Sequence, residues 1–169
     1  MQRNILLKKL LRADVISKGR VLLRSGKVSQ HYIDIKKAYG DPVLLKNIAS
    51  AMARLIPGKA TVVAVSGYGG LPLATAVAIQ NGLHISLVRE NKKKHGTKRE
   101  IDGYVPQAKD RVVIIDDVFT TGSSIRMTLR TLRKTKAKVI GACVVVRRTE
   151  KKFLIPLKHL FTGRDFLRA

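Results

Sequence analysis

The chain has 169 residues, a net charge of +23 and a single cysteine, Cys143. These values exclude an intrachain disulfide, and no apolar run approaches the roughly 18 residues of a membrane-spanning helix, so we expect a single globular domain that is neither secreted nor membrane-bound and resides in the cytoplasm. A positive charge of this size attracts anions in general, so nucleic acid, acidic membranes and phosphorylated metabolites all remain open as partners on composition alone.

The N-terminal third differs in pattern from the rest. The stretch MQRNILLKKLLRADVI is interrupted by Lys8, Lys9 and Arg12, which favours an amphipathic helix over a signal peptide. Short β-type runs separated by Gly and Ser follow over residues 19–41 and predict a small hairpin-like subdomain. Asp41-Pro42 is typical of a helix start, and Pro57-Gly58 of a helix end.

Strands and helices then alternate. TVVAV, HISLVRE, RVVIIDD and KVIGACVVVRR read as strands, whereas LPLATAVAIQNG and GSSIRMTLRTLRKTKA read as helices. Continuous apolar strands in such an alternation predict an α/β fold with a central, mostly parallel sheet flanked by helices. Ligands of these sheets bind at the carboxyl ends of the strands.

One such end carries the stretch RVVIIDDVFTTGSSI, with two of the 11 acidic residues side by side at Asp116 and Asp117. The following TTGSS supplies hydroxyls and backbone N–H groups at a predicted helix N-terminus, which suits a phosphate. The two carboxylates can accept hydrogen bonds from sugar hydroxyls or from water around Mg²⁺. The loop therefore predicts a site for a phosphorylated sugar, and the alternative is ordinary helix capping.

Two common nucleotide motifs are absent. The chain has no G-x-x-x-x-G-K-[ST] sequence, and SGYGGLPLA lacks the G-x-G-x-x-G spacing of dinucleotide folds. The four histidines show no metal-ligand spacing.

Four segments carry a family resemblance. VVIIDDVFTTGSS resembles the phosphoribosyl-pyrophosphate (PRPP) signature of type I phosphoribosyltransferases. LVRENKKKHGTKREIDG is similar to the mobile catalytic loop of the orotate phosphoribosyltransferase family, LLRSGKVSQHYIDIKKAYGDP to its N-terminal hood, and IPLKHLFTGRDFL to its C-terminal end. The resemblance implies the type I phosphoribosyltransferase fold, a small hood, and the conversion of orotate and PRPP to orotidine 5′-monophosphate and pyrophosphate in pyrimidine (UMP) biosynthesis.

The same resemblance implies an organisation. We expect one domain over residues 1–169, with an N-terminal helix and hood over about 1–40, a core over about 41–150, and a C-terminal segment over about 151–169 that completes the hood. It also implies a homodimer in which the mobile loop closes over the partner subunit's active site, and Mg²⁺ that is held mainly by PRPP, with water-mediated contacts to Asp116 and Asp117 and no direct protein ligand.

Site residues are carried over position by position. PRPP binding is implied for Asp116, Asp117, Val118, Phe119, Thr120, Thr121, Gly122, Ser123 and Ser124, and in the pyrophosphate loop for Gly67, Tyr68 and Gly69. Catalytic roles are implied for Arg89, Lys93, His95 and Asp117. Orotate binding is implied for Thr120, Arg148, Arg24 and Tyr32, because a guanidinium can bind the orotate carboxylate through two hydrogen bonds.

The chain departs from the family pattern at several positions. Gly69 stands where many relatives have lysine, Glu90 stands where a lysine is common, and Arg147 stands where an acid is more usual. Two alternatives stay open: a purine-type phosphoribosyltransferase, and a PRPP-sensing regulator of the same fold that binds nucleic acid. The second is disfavoured because no nucleic-acid-binding signature accompanies the charge, although nucleic acid remains possible as a partner.

Overall fold

The computed structural model describes residues 2–22, 28–90 and 99–167. Its strands are β1 (Ile16–Leu22), β2 (Val28–Ile33), β3 (Val62–Ser66), β4 (His84–Val88), β5 (Ile101–Gly103), β6 (Arg111–Phe119), β7 (Lys138–Arg147) and β8 (Leu157–Thr162). Its helices are α1 (Arg3–Arg12), α2 (Pro42–Ala53), α3 (Leu71–Asn81), α4 (Ser123–Leu132) and α5 (Gly163–Leu167), with 3-10 helices at Ile35–Gly40 and Arg133–Thr135.

Six strands form the central sheet in the order β5-β4-β3-β6-β7-β8. Every neighbouring pair is parallel except β4 with β5. The predicted mostly parallel sheet is thus confirmed. The chain adds β4 on one side of β3 and then returns to the other side with β6, so the strand order reverses between β3 and β6. In open α/β sheets a ligand crevice lies at such a reversal.

Apolar side chains cover both faces of this sheet. One core packs α1, α2, α3 and α5 against it, with Leu10, Ile48, Leu73 and Phe166 buried. The other core packs α4 through Ile125, Leu129 and Leu132. These three follow helical i, i+4 and i+7 spacing, so one stripe of α4 faces the sheet. The two cores fix the strand ends that carry the polar loops.

The predicted N-terminal hairpin is also confirmed. Strands β1 and β2 form a separate antiparallel sheet, and the 3-10 helix Ile35–Gly40 connects it to α2. The side chain of Asp41 caps α2 by accepting hydrogen bonds from the N–H groups of Val43 and Leu44 at 2.8 and 3.1 Å. Pro42 occupies the first turn, as expected from its fixed φ.

The C-terminal segment adds an edge strand to the central sheet. Leu157–Thr162 forms strand β8, which pairs in parallel with β7. α5 then lies beside α1, where Arg3 forms an ion pair with Asp165 at 2.7 Å.

Nearly every acidic side chain has a visible structural contact. All 11 carboxylates lie in the described ranges. Ion pairs or hydrogen bonds occupy Asp14, Asp34, Asp41, Glu100, Asp102, Asp110, Asp116, Asp117, Glu150 and Asp165. Glu90 lies against Gly67. The positive excess therefore resides in lysines and arginines that outnumber their acidic partners threefold. Within the described residues, no helix is both long and apolar enough to cross a membrane.

Candidate active site

A crevice opens where β3 and β6 separate. The two strands pair only as far as Ala64 with Ile114, whereas β6 continues beside β7 to the pair Phe119 with Arg147. Asp116 and Asp117 lie on this continuation, within the strand that RVVIIDD predicted, and β6 runs two residues further, to Phe119. The divergence leaves space at the carboxyl edge, bounded by the loops that follow β3 and β6.

The two adjacent aspartates differ in environment. Asp116 is only 9% exposed, and Asp117 is half-buried. Each carboxylate accepts a hydrogen bond from the next backbone N–H: Asp117 N–H to Asp116 Oδ1 at 2.9 Å, and Val118 N–H to Asp117 Oδ1 at 2.8 Å. Burial, followed by the charge of Asp117, raises the pKa of Asp116 well above its usual range. The chain therefore holds two adjacent carboxyl groups at the crevice, one of them buried, at a cost to folding.

The glycine loop, residues 67–70, covers these carboxylates. A Cβ added at Gly69 would overlap Asp117 Oδ2 and lie 2.6 Å from Asp117 Cγ. A Cβ at Gly70 would lie 3.0 Å from the carbonyl oxygen of Ile115. Gly67 has φ +79°, which favours glycine. Close approach of the loop to the backbone of β6 thus favours glycine at position 70, and at position 69 the Asp117 carboxylate occupies the space that a side chain would need. Tyr68, by contrast, is 85% exposed.

Tyr39 anchors the glycine loop, and sequence analysis missed it. Its hydroxyl donates a hydrogen bond to the carbonyl oxygen of Gly69 at 2.8 Å. Burial, with the charges of Asp117 and Asp116, raises the pKa of Tyr39 far above the ordinary value of a phenol, so it remains a donor. The surrounding KKAYGD is typical of a polar turn, and nothing in that pattern indicated the contact.

The hydroxyl loop, residues 120–124, follows β6. Thr120, Thr121 and Ser123 are exposed, and Gly122 has φ +74° in the left-handed region. A Cβ at Gly122 would lie 2.6 Å from ring carbons of both Phe119 and Phe153. In this part of the described chain no side chain caps α4, so its first N–H groups face the crevice edge without the cap that the capping alternative requires.

Two further contacts hold this loop. Arg126 donates a hydrogen bond to the carbonyl oxygen of Thr121, and its guanidinium lies over the ring of Phe153, 5.5 Å from the ring centroid. Below the loop, the Thr128 hydroxyl donates to the buried Ser66 hydroxyl at 2.7 Å. Ser66 is the last residue of β3, so this bond connects the helix after one loop to the strand before the other.

Arg89 and Glu90 stand at the base of the predicted mobile loop. The N–H of Arg89 donates to the carbonyl oxygen of Glu100 at 3.0 Å, and its guanidinium pairs with Asp102 at 2.5 Å. Glu90 Oε1 lies 2.7 Å from the position that a Cβ on Gly67 would take, so its carboxylate lies beside the glycine loop. Lys93 and His95 fall outside the described residues.

Arg148 connects the central sheet to the hood. Its N–H donates to the carbonyl oxygen of Phe119 at 2.9 Å, and its Nη2 donates to the carbonyl oxygen of His31 at 3.3 Å. Arg148 also lines a cavity of about 530 Å³ between β2, the end of β7 and the C-terminal segment. Tyr32 lies in β2 beside His31, and Arg24 is outside the described residues. The arrangement brings Arg148 to the hood, while Asp117 and Thr120 lie outside the lining of this cavity.

Comparison with known proteins places the chain in a family. The phosphoribosyl transferase domain family matches residues 37–162. Orotate phosphoribosyltransferase from Methanosarcina acetivorans is 40% identical over 175 residues, which cover 99% of this chain and 92% of the relative. The Pyrococcus furiosus enzyme of the same name is 40% identical over 152 residues, 86% of this chain and 81% of the relative. The crystal structure of orotate phosphoribosyltransferase from Aeropyrum pernix superposes with a TM-score of 0.83 at 29% identity, over 96% of both chains. With a matching domain, matching relatives over nearly its full length and a matching fold, this chain belongs to the orotate phosphoribosyltransferase family.

Proposed function

We propose that the crevice between β3 and β6 transfers the phosphoribosyl group of PRPP to a ring nitrogen of orotate, giving orotidine 5′-monophosphate and pyrophosphate. The bond from ribose C1 to the pyrophosphate oxygen breaks, and its electron pair leaves with pyrophosphate. The orotate nitrogen loses its proton to solvent or to the departing pyrophosphate and forms the new bond to C1. Positive charge develops on the ribose ring and negative charge on the leaving pyrophosphate, so the residues that act are those that fix these two ends.

The observation that carries this proposal is the uncapped start of α4 directly after the Asp116–Asp117 pair. Phosphate groups bind at such N-termini because several N–H groups and the helix dipole point at them. We assign the 5′-phosphate to Thr120, Thr121, Gly122, Ser123 and Ser124. Val118 and Phe119 set the position of this loop, the latter through its edge-to-face contact with Phe153 at 4.9 Å.

The sugar and pyrophosphate are assigned to the opposite wall. Asp116 and Asp117 accept hydrogen bonds from the ribose hydroxyls, which are charge-assisted and therefore strong. Backbone groups of Gly67, Tyr68 and Gly69 contact the pyrophosphate, since the glycine loop presents main chain with little side-chain obstruction. Arg89, Lys93 and His95 are assigned to the leaving group from the base and body of the mobile loop.

Magnesium fits the residues at this crevice. Asp116, Asp117 and Glu90 supply hard oxygen donors near the glycine loop, the ligand type that Mg²⁺ prefers. Among the described residues, no group of three or more His, Cys, Asp or Glu side chains could hold a metal alone. We therefore propose that PRPP brings Mg²⁺ and that the aspartates contact it through water. Bound in this way, the ion would neutralise charge on the pyrophosphate.

Orotate is assigned to the side of the crevice that faces the hood. Arg148 would bind its carboxylate, with Thr120, Tyr32 and Arg24 as the remaining contacts. Relatives at 40% identity that carry the orotate enzyme's name support this base over a purine, which has no carboxylate for an arginine to bind.

The experiment is an assay with orotate, PRPP and Mg²⁺ that follows the loss of orotate absorbance. We expect orotate to be consumed in step with pyrophosphate release, and no turnover when adenine or hypoxanthine replaces it. Turnover of a purine without turnover of orotate would overturn the assignment of the base. Failure of every base, with no PRPP-dependent rise in melting temperature, would overturn the enzyme assignment itself.

We also propose a homodimer, in the cytoplasm, with each active site completed by the partner subunit's mobile loop, and a single domain over residues 1–169. Mixing Lys93→Ala with Arg148→Ala protein tests the shared sites. Each homodimer should be nearly inactive, and the mixture should regain part of the activity because one of the two sites in a heterodimer has both residues intact. A mixture that stays inactive after subunit exchange has been verified by native mass spectrometry contradicts shared sites.

A further inference from the structure

The 3-10 helix Ile35–Gly40 presents one face to the glycine loop. Side chains at i and i+3 of a 3-10 helix eclipse one another, so Lys36 and Tyr39 lie on the same face. The Tyr39 hydroxyl is bonded to the carbonyl oxygen of Gly69, which fixes that face against the loop. Lys36 is thereby directed towards the same wall of the crevice. It lies in the hood segment LLRSGKVSQHYIDIKKAYGDP, where the family resemblance assigned it no role.

The surroundings of Lys36 are acidic. Its Nζ pairs with Asp34 Oδ1 at 2.5 Å, and its side chain remains about one-third exposed. Burial lowers the pKa of Lys36, but the hydrogen bond to Asp34 and the nearby charge of Asp117 outweigh it and raise the pKa above its ordinary value, so the side chain is an ammonium at neutral pH. An ammonium has three donors, and Asp34 uses one of them, so a phosphate oxygen can be bound without breaking that pair.

The described part of this wall is short of positive charge. Asp116, Asp117 and Glu90 lie at the glycine loop, position 69 has no side chain, and the Arg89 guanidinium is paired with Asp102. A diphosphate bound here needs a cation to offset these carboxylates. Lys36 lies on the face of the 3-10 helix that Tyr39 holds against the glycine loop.

We propose that Lys36 binds the diphosphate end of PRPP and supplies there the positive charge that Gly69 cannot. This inference rests on the proposed function, because it assumes that the glycine loop receives a diphosphate. Tyr39 is a positioning residue for the same loop.

The test compares Lys36→Met with Lys37→Met. Lys37 is adjacent, in the same helix and of the same charge, but its ammonium donates to the backbone oxygen and carboxylate of Asp14 at 2.9 and 3.1 Å, away from the crevice.

The affinities of both variants for inorganic pyrophosphate and for ribose 5-phosphate are measured by titration calorimetry with Mg²⁺ present. Because a charged hydrogen bond is lost, Lys36→Met should bind pyrophosphate about tenfold more weakly or worse, with ribose 5-phosphate affinity within about twofold of the native chain. Lys37→Met should change neither affinity, and Lys36→Arg should restore most of the pyrophosphate affinity.

Unchanged pyrophosphate affinity in Lys36→Met would overturn the inference, and so would equal losses for the two ligands, which indicate a general structural role. Should Lys36→Met fail to fold, Lys36→Gln carries the same test, since it keeps a hydrogen bond to Asp34 without the charge. If the native protein consumes orotate and Lys36→Met binds pyrophosphate normally, only this inference is wrong. If the native protein binds neither pyrophosphate nor ribose 5-phosphate, the proposed function is wrong.

Discussion

Two helix N-termini in this chain are built on opposite plans. α2 begins with Asp41, whose carboxylate accepts two of the helix's own N–H groups, and with Pro42. α4 begins with Gly122 in a left-handed conformation, is surrounded by hydroxyls, and has no side-chain cap among the described residues. The acids that precede α4 instead bond the neighbouring backbone of β6 and face the crevice. The first N-terminus is thus capped by a side chain of its own segment, and the second is the one to which we assign the 5′-phosphate of PRPP.

The comparison of the two N-termini indicates that the start of α2 serves folding stability and that the start of α4 serves ligand binding, as we propose. An acid that caps a helix contributes to folding, whereas Asp116 is held in a buried position next to another acid at a cost to folding. If this division holds, substitutions at the two N-termini should have opposite consequences. The predictions below begin with the largest expected effect.

Asp117→Asn should lower kcat/KM for PRPP by about a hundredfold, because charge-assisted hydrogen bonds to the ribose are lost. The melting temperature should stay unchanged, since asparagine Oδ1 can still accept from the N–H of Val118. Steady-state kinetics and differential scanning calorimetry check the two halves. Near-native kinetics would contradict the proposed role of Asp117 in binding the ribose.

Asp116→Asn should also impair turnover, but it should raise the stability of the ligand-free protein. The pKa of Asp116 is raised in the folded state, so the native chain binds more protons than the unfolded chain between the two pKa values, and its stability falls as pH rises through that window. The Asp116→Asn variant has no carboxyl group to titrate at this position, so its stability does not fall in this way as pH rises. Its advantage in melting temperature should be largest at neutral pH and shrink towards pH 4, roughly the unfolded pKa.

A variant no more stable than the native protein at neutral pH would show that Asp116 is not held at a cost. The stability difference should also reverse on adding PRPP and Mg²⁺, because only the native chain retains full binding.

Gly122→Ala should weaken PRPP binding by roughly tenfold, because a Cβ in the left-handed region would press on Phe119 and Phe153 and displace the hydroxyl loop. Gly58→Ala is the matched control, since no atom lies within 4 Å of its added Cβ. Calorimetric titration of both variants with PRPP gives the comparison. Equal affinities would mean that the left-handed start of α4 is not needed for the ligand.

Asp41→Ala should have the smallest effect, a loss of about 1 kcal/mol in the free energy of unfolding, as is typical for removal of an N-cap. A chain of this length should then melt about 2–4 °C lower. PRPP affinity and kcat should stay at native values. If PRPP affinity changed by more than about twofold with the fold intact, the start of α2 would also affect ligand binding, which contradicts the division between the two N-termini.

Sequence reasoning reached the fold and one half of the site. Strong apolar runs and the DDVFTTGSS stretch have local signatures, so the parallel sheet and the hydroxyl loop could be predicted. The Tyr39 hydrogen bond reaches Gly69, 30 positions along the chain, and the charge that acts on Lys36 belongs to Asp117, 81 positions along, and no local pattern encodes such proximity. The pairing of β8 with β7 could not be predicted for the same reason, because edge pairing depends on the assembled sheet.

The engagement of ten of the 11 carboxylates in ion pairs or hydrogen bonds has a consequence for the protein in solution. With few acids available to balance 34 lysines and arginines, the surface must be neutralised largely by dissolved counterions. Small polyvalent anions in a buffer will then compete with substrate at long range, before any of them reaches the crevice. Apparent Michaelis constants measured in phosphate should accordingly exceed those measured in a chloride buffer of equal ionic strength, and the gap should narrow as salt is added.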